Sequence, residues 1–138
     1  MVLETTAGGL VFLVGRVVFG VLLVFQGFNH FQNTEAMSGY ARSKGVPAPR
    51  ASVLLSGGML IFGGLGIILG AFPAIAAGAV AIFLLVTTPM MHDFWAVPED
   101  QQQSEMTHFI KNVELFGASL VFLVLSSEHW AYALNIGL

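Results

Sequence analysis

Cysteine is absent from the 138 residues, and charged side chains are scarce. Without cysteine the chain has no disulfides, no thiol redox chemistry, and no sulfur ligands for zinc or iron–sulfur clusters. Charged residues make up 9% of the chain, whereas a soluble domain typically carries about 25%. The weak net charge of −3 and the lack of a basic patch exclude nucleic acid as an expected partner. So few charges do not cover the surface of a water-soluble domain.

Apolar residues dominate instead, at 56% of the sequence, with a mean hydropathy of +0.81. A membrane-spanning helix needs about 20 mostly apolar residues, and four runs are long enough. They cover roughly residues 7–29, 51–71, 74–92 and 109–130. The first run follows Met1–Glu4, which lacks a positive segment, so we interpret it as a retained helix. The sequence predicts an all-α fold, a transmembrane four-helix bundle forming a single transmembrane domain over residues 1–138.

The distribution of positive charge predicts an orientation in the cell membrane. Four spans place both termini and the turn at Phe72-Pro73 on one side, which we call side A. The loops at 30–50 and 93–108 share the other side, side B. The basic residues outside the first span all fall at side B: Arg42, Lys44, Arg50 and Lys111. The positive-inside rule then makes side B cytoplasmic and the termini extracytoplasmic.

Both loops on side B carry helix signals. Asn33 or Thr34 is a candidate N-cap for a short helix that stops before Gly45, and we expect it to lie at the bilayer interface. Pro98 suits the start of a second helix, which would run straight into the fourth span. The first loop is net basic and the second is acidic, so the two are expected to clasp each other.

Polar side chains gather where the spans reach side B. The candidate ligand-binding residues there are Gln26, Asn29, His30, His92, Asp93, His108, Lys111, Asn112 and Glu114. Three spans contribute to this set, which predicts a polar pocket at one end of the bundle. Glu114 lies inside the apolar part of its span, where an acid is by default a candidate functional residue. The alternative is that the histidines are ordinary boundary residues and that Lys111 and Glu114 form a structural pair.

Arg16 is the deepest charge and falls near the middle of the first span. Its candidate partners are Glu114, the backbone carbonyls of the glycine-rich second span, and an oxygen of a ligand. We include Arg16 among the candidate binding residues on the hypothesis that a polar cavity connects it to the cluster on side B. Snorkelling toward side A is the alternative.

Several ligands are chemically compatible with the polar cluster. A quinone head group needs one or two hydrogen-bond partners beside an apolar slot near the interface, and the cluster meets that need. Haem or a divalent metal would need histidines at defined positions, and no paired-ligand spacing is present. In the second span, Gly66 and Gly70 form a GxxxG pair, which indicates helix packing within the bundle or a homodimer face.

Several segments in their order along the chain resemble the DoxX family of small four-helix membrane proteins. They are Arg16 with Gly20, "GFNHF" at the end of the first span, "YARSKGVPAP", "SGGMLIFGGLGIILG", "MMHDFW", and "HFIKNVELFGASL" at the entry to the fourth span. The resemblance implies a redox-associated membrane subunit, since the family is named for a subunit linked to a quinol oxidase and to thiosulfate:quinone oxidoreduction. It implies a quinone role for side-B residues and a protein partner that holds the redox cofactor.

Two other functions remain open from the residues. One is a non-enzymatic structural or assembly subunit, which would dock a partner through the glycine-rich face and the helical extension of the loop at 93–108. The other is a small transporter or proton-coupled carrier, in which Glu114 would be essential. The absence of internal repeats counts against the transporter, because many transporters are built from inverted repeats. No catalytic residue is assigned.

Overall fold

The computed structural model describes residues 2–137, and these residues form a helical bundle. A short 3-10 turn at Val2–Glu4 precedes five α-helices. These are α1 (Thr6–Gln32), α2 (Thr34–Ser43), α3 (Pro49–Leu69), α4 (Pro73–Met91) and α5 (Glu99–Leu125). Helices α1, α3, α4 and α5 are long and apolar enough to cross a membrane. The predicted all-α transmembrane bundle is confirmed.

Helix α2 is the short helix predicted in the first loop on side B. Only Asn33 separates it from α1, so the chain turns sharply at the end of the span. Thr34 begins the helix, but its hydroxyl donates back to the carbonyls of His30 and Phe31 at 2.8 and 2.9 Å. Neither candidate cap therefore acts as one, since the Asn33 side chain makes no capping hydrogen bond either. Gly45, at φ +78°, follows the helix end.

The spanning helices pack in the order α1, α3, α4, α5, with each helix lying along the next. Helices α1 and α3 approach most closely because glycine faces glycine where they cross. A Cβ added to Gly64 would lie 2.6 Å from the carbonyl oxygen of Gly20, and one added to Gly27 would lie 2.6 Å from that of Gly57. A Cβ on Gly66 would meet the Cβ of Ala76 at 2.6 Å. Gly66 therefore packs inside the bundle. Of its two predicted roles, packing within the bundle and a homodimer face, the structure supports the first.

Helix α5 begins at Glu99 as its proline signal predicts, but it ends at Leu125, earlier than the predicted span end at residue 130. The reason lies in its last carbonyls. The hydroxyl of Ser126 donates to the Leu123 carbonyl at 2.6 Å, and the indole N–H of Trp130 donates to the Leu125 carbonyl at 2.8 Å. The chain then turns back, and Trp130 is buried in the bundle with 1% of its surface exposed.

Arg16 holds this C-terminal tail against the bundle at side A. Its side chain is fully buried. It donates to the carbonyls of Ile67 and Ile68 at the end of α3, at 3.2 and 2.7 Å. It also donates to the carbonyls of Ala131 and Tyr132 in the tail, at 2.8 and 2.9 Å. Of the predicted partners, the carbonyls of the glycine-rich span are correct. The tail was not foreseen, and Glu114 is not among the partners in the described chain.

Candidate functional site

A cavity of about 470 Å³ opens at side B between the ends of α1, α3, α4 and α5, with α2 lying over it. Its walls are largely apolar, including Val53, Phe83 and Leu84. Five of the predicted ligand-binding residues line it: Gln26, His30, His92, Lys111 and Asn112. Small-molecule sites typically have volumes of about 300–1,000 Å³ and a few polar groups in an apolar wall. The cavity has both properties.

His30 is held in one orientation against α3. Its Nδ1 lies 3.1 Å from the carbonyl oxygen of Val53 and 3.0 Å from the hydroxyl of Ser56. A carbonyl only accepts hydrogen bonds, so Nδ1 carries the hydrogen and donates it. The hydroxyl of Ser56 itself donates to Val53 at 3.0 Å and its oxygen is free to accept from the ring. In the neutral imidazole Nε2 is then left as a hydrogen-bond acceptor.

His92 is fixed from the opposite wall. Its Nδ1 lies 2.9 Å from a carboxylate oxygen of Glu105, and its ring stacks on His108 with centroids 5.1 Å apart. The hydroxyl of Tyr40 on α2 reaches the other oxygen of Glu105 at 3.4 Å and the Met91 carbonyl at 3.3 Å. Glu105 therefore joins the α4 end of the cavity to the helix that covers it.

An ion pair also fastens α2 over the cavity. The ammonium of Lys44 lies 2.6 Å from the carboxylate of Asp93, which matches the expected clasp between a basic and an acidic loop. Arg50 pairs with Glu35 at the other end of α2. The Lys44–Asp93 pair is the more buried of the two, so it contributes more than the exposed Arg50–Glu35 pair to holding the covering helix.

The clasp at Lys44 and Asp93 persists through the neutral pH range. The hydrogen bond from Lys44 holds the pKa of Asp93 below its ordinary value, and the same bond raises the pKa of Lys44. The stability that Asp93 contributes to the folded state is fully present above its unfolded pKa of about 3.9. It is lost as the pH falls through the lowered pKa of the folded state. The stability that Lys44 contributes is fully present below its unfolded pKa of about 10.4. It is lost as the pH rises through the raised pKa of the folded state.

The other predicted residues lie outside the cavity wall. Asn29 is exposed and accepts a hydrogen bond from Asn33. Asp93 belongs to the clasp and His108 to the stacked pair. Glu114 is exposed on the outer face of α5, and the described residues provide no ion pair for it or for Lys111. Arg16 lies at side A and does not line the cavity, so the expected polar connection to the cluster is not seen.

Sequence reasoning missed three side chains that shape the site. Ser56 and Glu105 orient the two histidines, and Tyr40 links α2 to Glu105. Ser56 was detectable as a polar residue in the first half of a span otherwise rich in glycine and aliphatic side chains. Tyr40 lies on the short helix expected at the bilayer interface, and its hydroxyl gave no separate signal in the sequence. Within residues 2–137, no group of three or more His, Asp or Glu side chains is arranged to hold a metal ion.

The model of the DoxX family matches residues 11–93, more than half of the chain. The chain belongs to the DoxX family. The match includes most of α1, all of α2, α3 and α4, and both His30 and His92. The inner membrane protein YphA of Escherichia coli strain K12 is 25% identical over 112 residues, which is 81% of this chain and 80% of YphA. No solved structure matches the chain significantly. Family membership and four apolar helices make this DoxX chain an integral, multi-pass membrane protein.

Proposed function

We propose that this DoxX chain binds a quinone-type ligand in the side-B cavity and acts as a redox-associated membrane subunit. The observation that carries the proposal is the orientation of His30. Its Nδ1 is committed to Val53 and Ser56, which leaves Nε2 as an acceptor at a cavity with largely apolar walls. An amphiphilic ring with hydroxyl or carbonyl oxygens has the chemistry that such a site selects.

Residues on opposite walls of the cavity bind the two oxygens of the head group. His30 accepts a hydrogen bond from a hydroxyl of the reduced, quinol form. The amide of Asn112, on the α5 side of the cavity, donates to the second oxygen. Phe83 lines the same cavity and meets the ring of His30 edge-on, with centroids 6.2 Å apart. A protein partner that carries the redox cofactor completes the proposed role.

The open seam between α1 and α5 supports a ligand that arrives from the membrane. These two helices approach at few backbone positions in the described chain. Near side A the seam is filled by aromatic rings, with Phe19 and Phe122 5.0 Å apart. Near side B, Gln26 on α1 and Lys111 on α5 line the cavity instead. A lipid-soluble tail would leave the cavity through this gap while the head group stayed at the interface.

Replacing His30 with alanine tests the binding site. We expect His30→Ala to weaken binding of a short-tailed ubiquinol to the purified protein in detergent by about three- to tenfold, since one hydrogen bond is lost. Binding of the oxidised ubiquinone should change less, because its carbonyls do not donate to Nε2. Titration of both forms, followed by tryptophan fluorescence, measures the difference. His129→Ala is the control, since His129 is exposed near the N-terminus. Equal quinol affinities in His30→Ala and the unmodified protein would refute the site.

We further propose that side B faces the cytoplasm, because the basic residues outside the first span lie there. Single cysteines introduced into this cysteine-free chain report the orientation directly. In inside-out membrane vesicles we expect Gln102→Cys to react with a membrane-impermeant maleimide, and Ser127→Cys to react only after the vesicles are permeabilised. The reverse pattern would overturn the orientation and leave the binding proposal intact.

A further inference from the structure

Helix α5 is the spanning helix that the rest of the bundle covers least. Only 11% of its most apolar stretch is buried, against 22%, 39% and 33% for α1, α3 and α4. Its exposed residues include a row spaced alternately by three and four positions, which places them on one face. We call this row the α5 stripe; it consists of Thr107, Ile110, Glu114, Gly117, Val121 and Val124. A row with this spacing is typical of a helix that packs along a parallel neighbour.

Glu114 makes an uncovered α5 stripe unfavourable. It lies about 9 Å along the helix beyond His108, within the apolar part of the span, and it is exposed on the outer face. A carboxylate facing lipid is costly, and such residues almost always face a protein interior or a cavity. Lys111 is exposed one turn earlier, and the described chain offers neither of them an ion-pair partner. The face therefore carries one charge of each sign, and no ion pair among the described residues neutralises either of them.

We propose that the α5 stripe is the contact surface for a second copy of this chain. Two copies inserted in the same orientation are related by a two-fold axis along the membrane normal, so their α5 helices run parallel. Lys111 of one copy is then three residues, or about 4.5 Å along the helix axis, from the level of Glu114 in the other. The two-fold axis makes this pairing twice, once on each side. The α5 stripe with Lys111 beside it is thus electrostatically complementary to itself, which argues for a second copy over an unrelated partner.

Gly117 supplies the close approach that such a dimer needs. A Cβ built on it would meet no atom within 4 Å, so its lack of a side chain serves no contact inside the chain. In parallel membrane helices a small residue at the crossing lets the two backbones come together. Ile110, Val121 and Val124 extend the α5 stripe on both sides of it and supply apolar contacts. The close approach at Gly117 also brings the charges of the two copies into reach.

Disulfide cross-linking tests the interface without disturbing the fold. The chain has no cysteine, so Gly117→Cys and Val121→Cys each introduce a single thiol, and residues on a two-fold axis face their own copies. On mild oxidation in native membranes we expect a shift from monomer to dimer on non-reducing gels for both variants. Leu55→Cys and Phe62→Cys on α3 are the controls, because they are 68% and 76% exposed on another face. Absence of the dimer band, equal bands at all four positions, or cross-links only to a different protein would overturn the proposal.

Charge reversal tests the pairing of Lys111 with Glu114 in the Gly117→Cys background. Lys111→Glu places four carboxylates at the interface, and we expect it to raise the dissociation constant of the dimer about tenfold or more. Glu114→Lys should do the same. The double reversal should restore cross-linking, because it rebuilds both pairs with their signs exchanged. Unchanged cross-linking in the single variants would contradict the pairing. The pairing would also be contradicted if the double variant inserts and migrates like the parent on size exclusion but does not recover cross-linking.

Discussion

Arg16→Met is expected to lower the free energy of unfolding by about 3 kcal/mol or more, because a buried group left without its hydrogen-bond partner costs about 1–3 kcal/mol and four carbonyls lose their donor. Arg16 is fully buried and donates to four backbone carbonyls, two on α3 and two in the C-terminal tail. Methionine fills a similar volume but offers no donor, so the tail carbonyls of Ala131 and Tyr132 lose their contact with the bundle. The tail that holds Trp130 in place should then detach first.

Thermal unfolding in a mild detergent measures this effect. In a Trp95→Phe background Trp130 is the remaining tryptophan, and its fluorescence reports whether the tail leaves the core. Arg42→Met is the matched control, because Arg42 is exposed on α2. Arg16→Lys should recover only part of the loss, since an ammonium lacks the planar fork that serves several carbonyls at once. If Arg16→Met unfolds at the same temperature as Arg42→Met, the guanidinium does not hold the tail.

The helices were predictable from the sequence because their signals are local. Four apolar runs mark the spans, Pro73 and Pro98 mark the starts of α4 and α5, and Gly45 marks the end of α2. The end of α5 was not predictable in the same way. It depends on Trp130 turning back to the Leu125 carbonyl and on Arg16, which is 115 residues away in the chain from its tail contact at Ala131. The spacing of hydrophobic residues along the chain does not predict a contact between such distant segments.

Half of the candidate binding residues line the cavity for a similar reason. Depth in the membrane can be counted along a helix, so His30, His92 and Asn112 were expected at one level. Rotation about the helix axis depends on packing, and it separates Asn29 from His30 and Glu114 from Asn112. The rotation of α1 against α3 is set where glycine meets glycine. This rotation of α1 brings the ring of His30 to Val53, and no single residue of the sequence predicts the rotation.

Gly64→Leu tests the contact that sets this rotation, and we expect it to destabilise the bundle by at least about 3 kcal/mol, the upper range for overpacking. Its Cβ alone would lie 2.6 Å from the Gly20 carbonyl oxygen and 2.9 Å from a methyl of Val24. Backbone atoms cannot move aside as a side chain can, so α1 and α3 must separate. The hydrogen bond from His30 to Val53 should weaken with them, and the proposed binding of a quinol should weaken together with stability.

Gly15→Leu is the matched control, because it makes the same change on α1 where a Cβ would meet no atom within 4 Å. Leucine is the better helix former by up to about 1 kcal/mol, so this variant should be as stable as the parent or slightly more so. Thermal unfolding of both variants in detergent gives the comparison. A Gly64→Leu protein as stable as Gly15→Leu would mean that the two helices do not meet backbone to backbone. The orientation of His30 would then need another cause, because Val53 is carried on the same helix as Gly64.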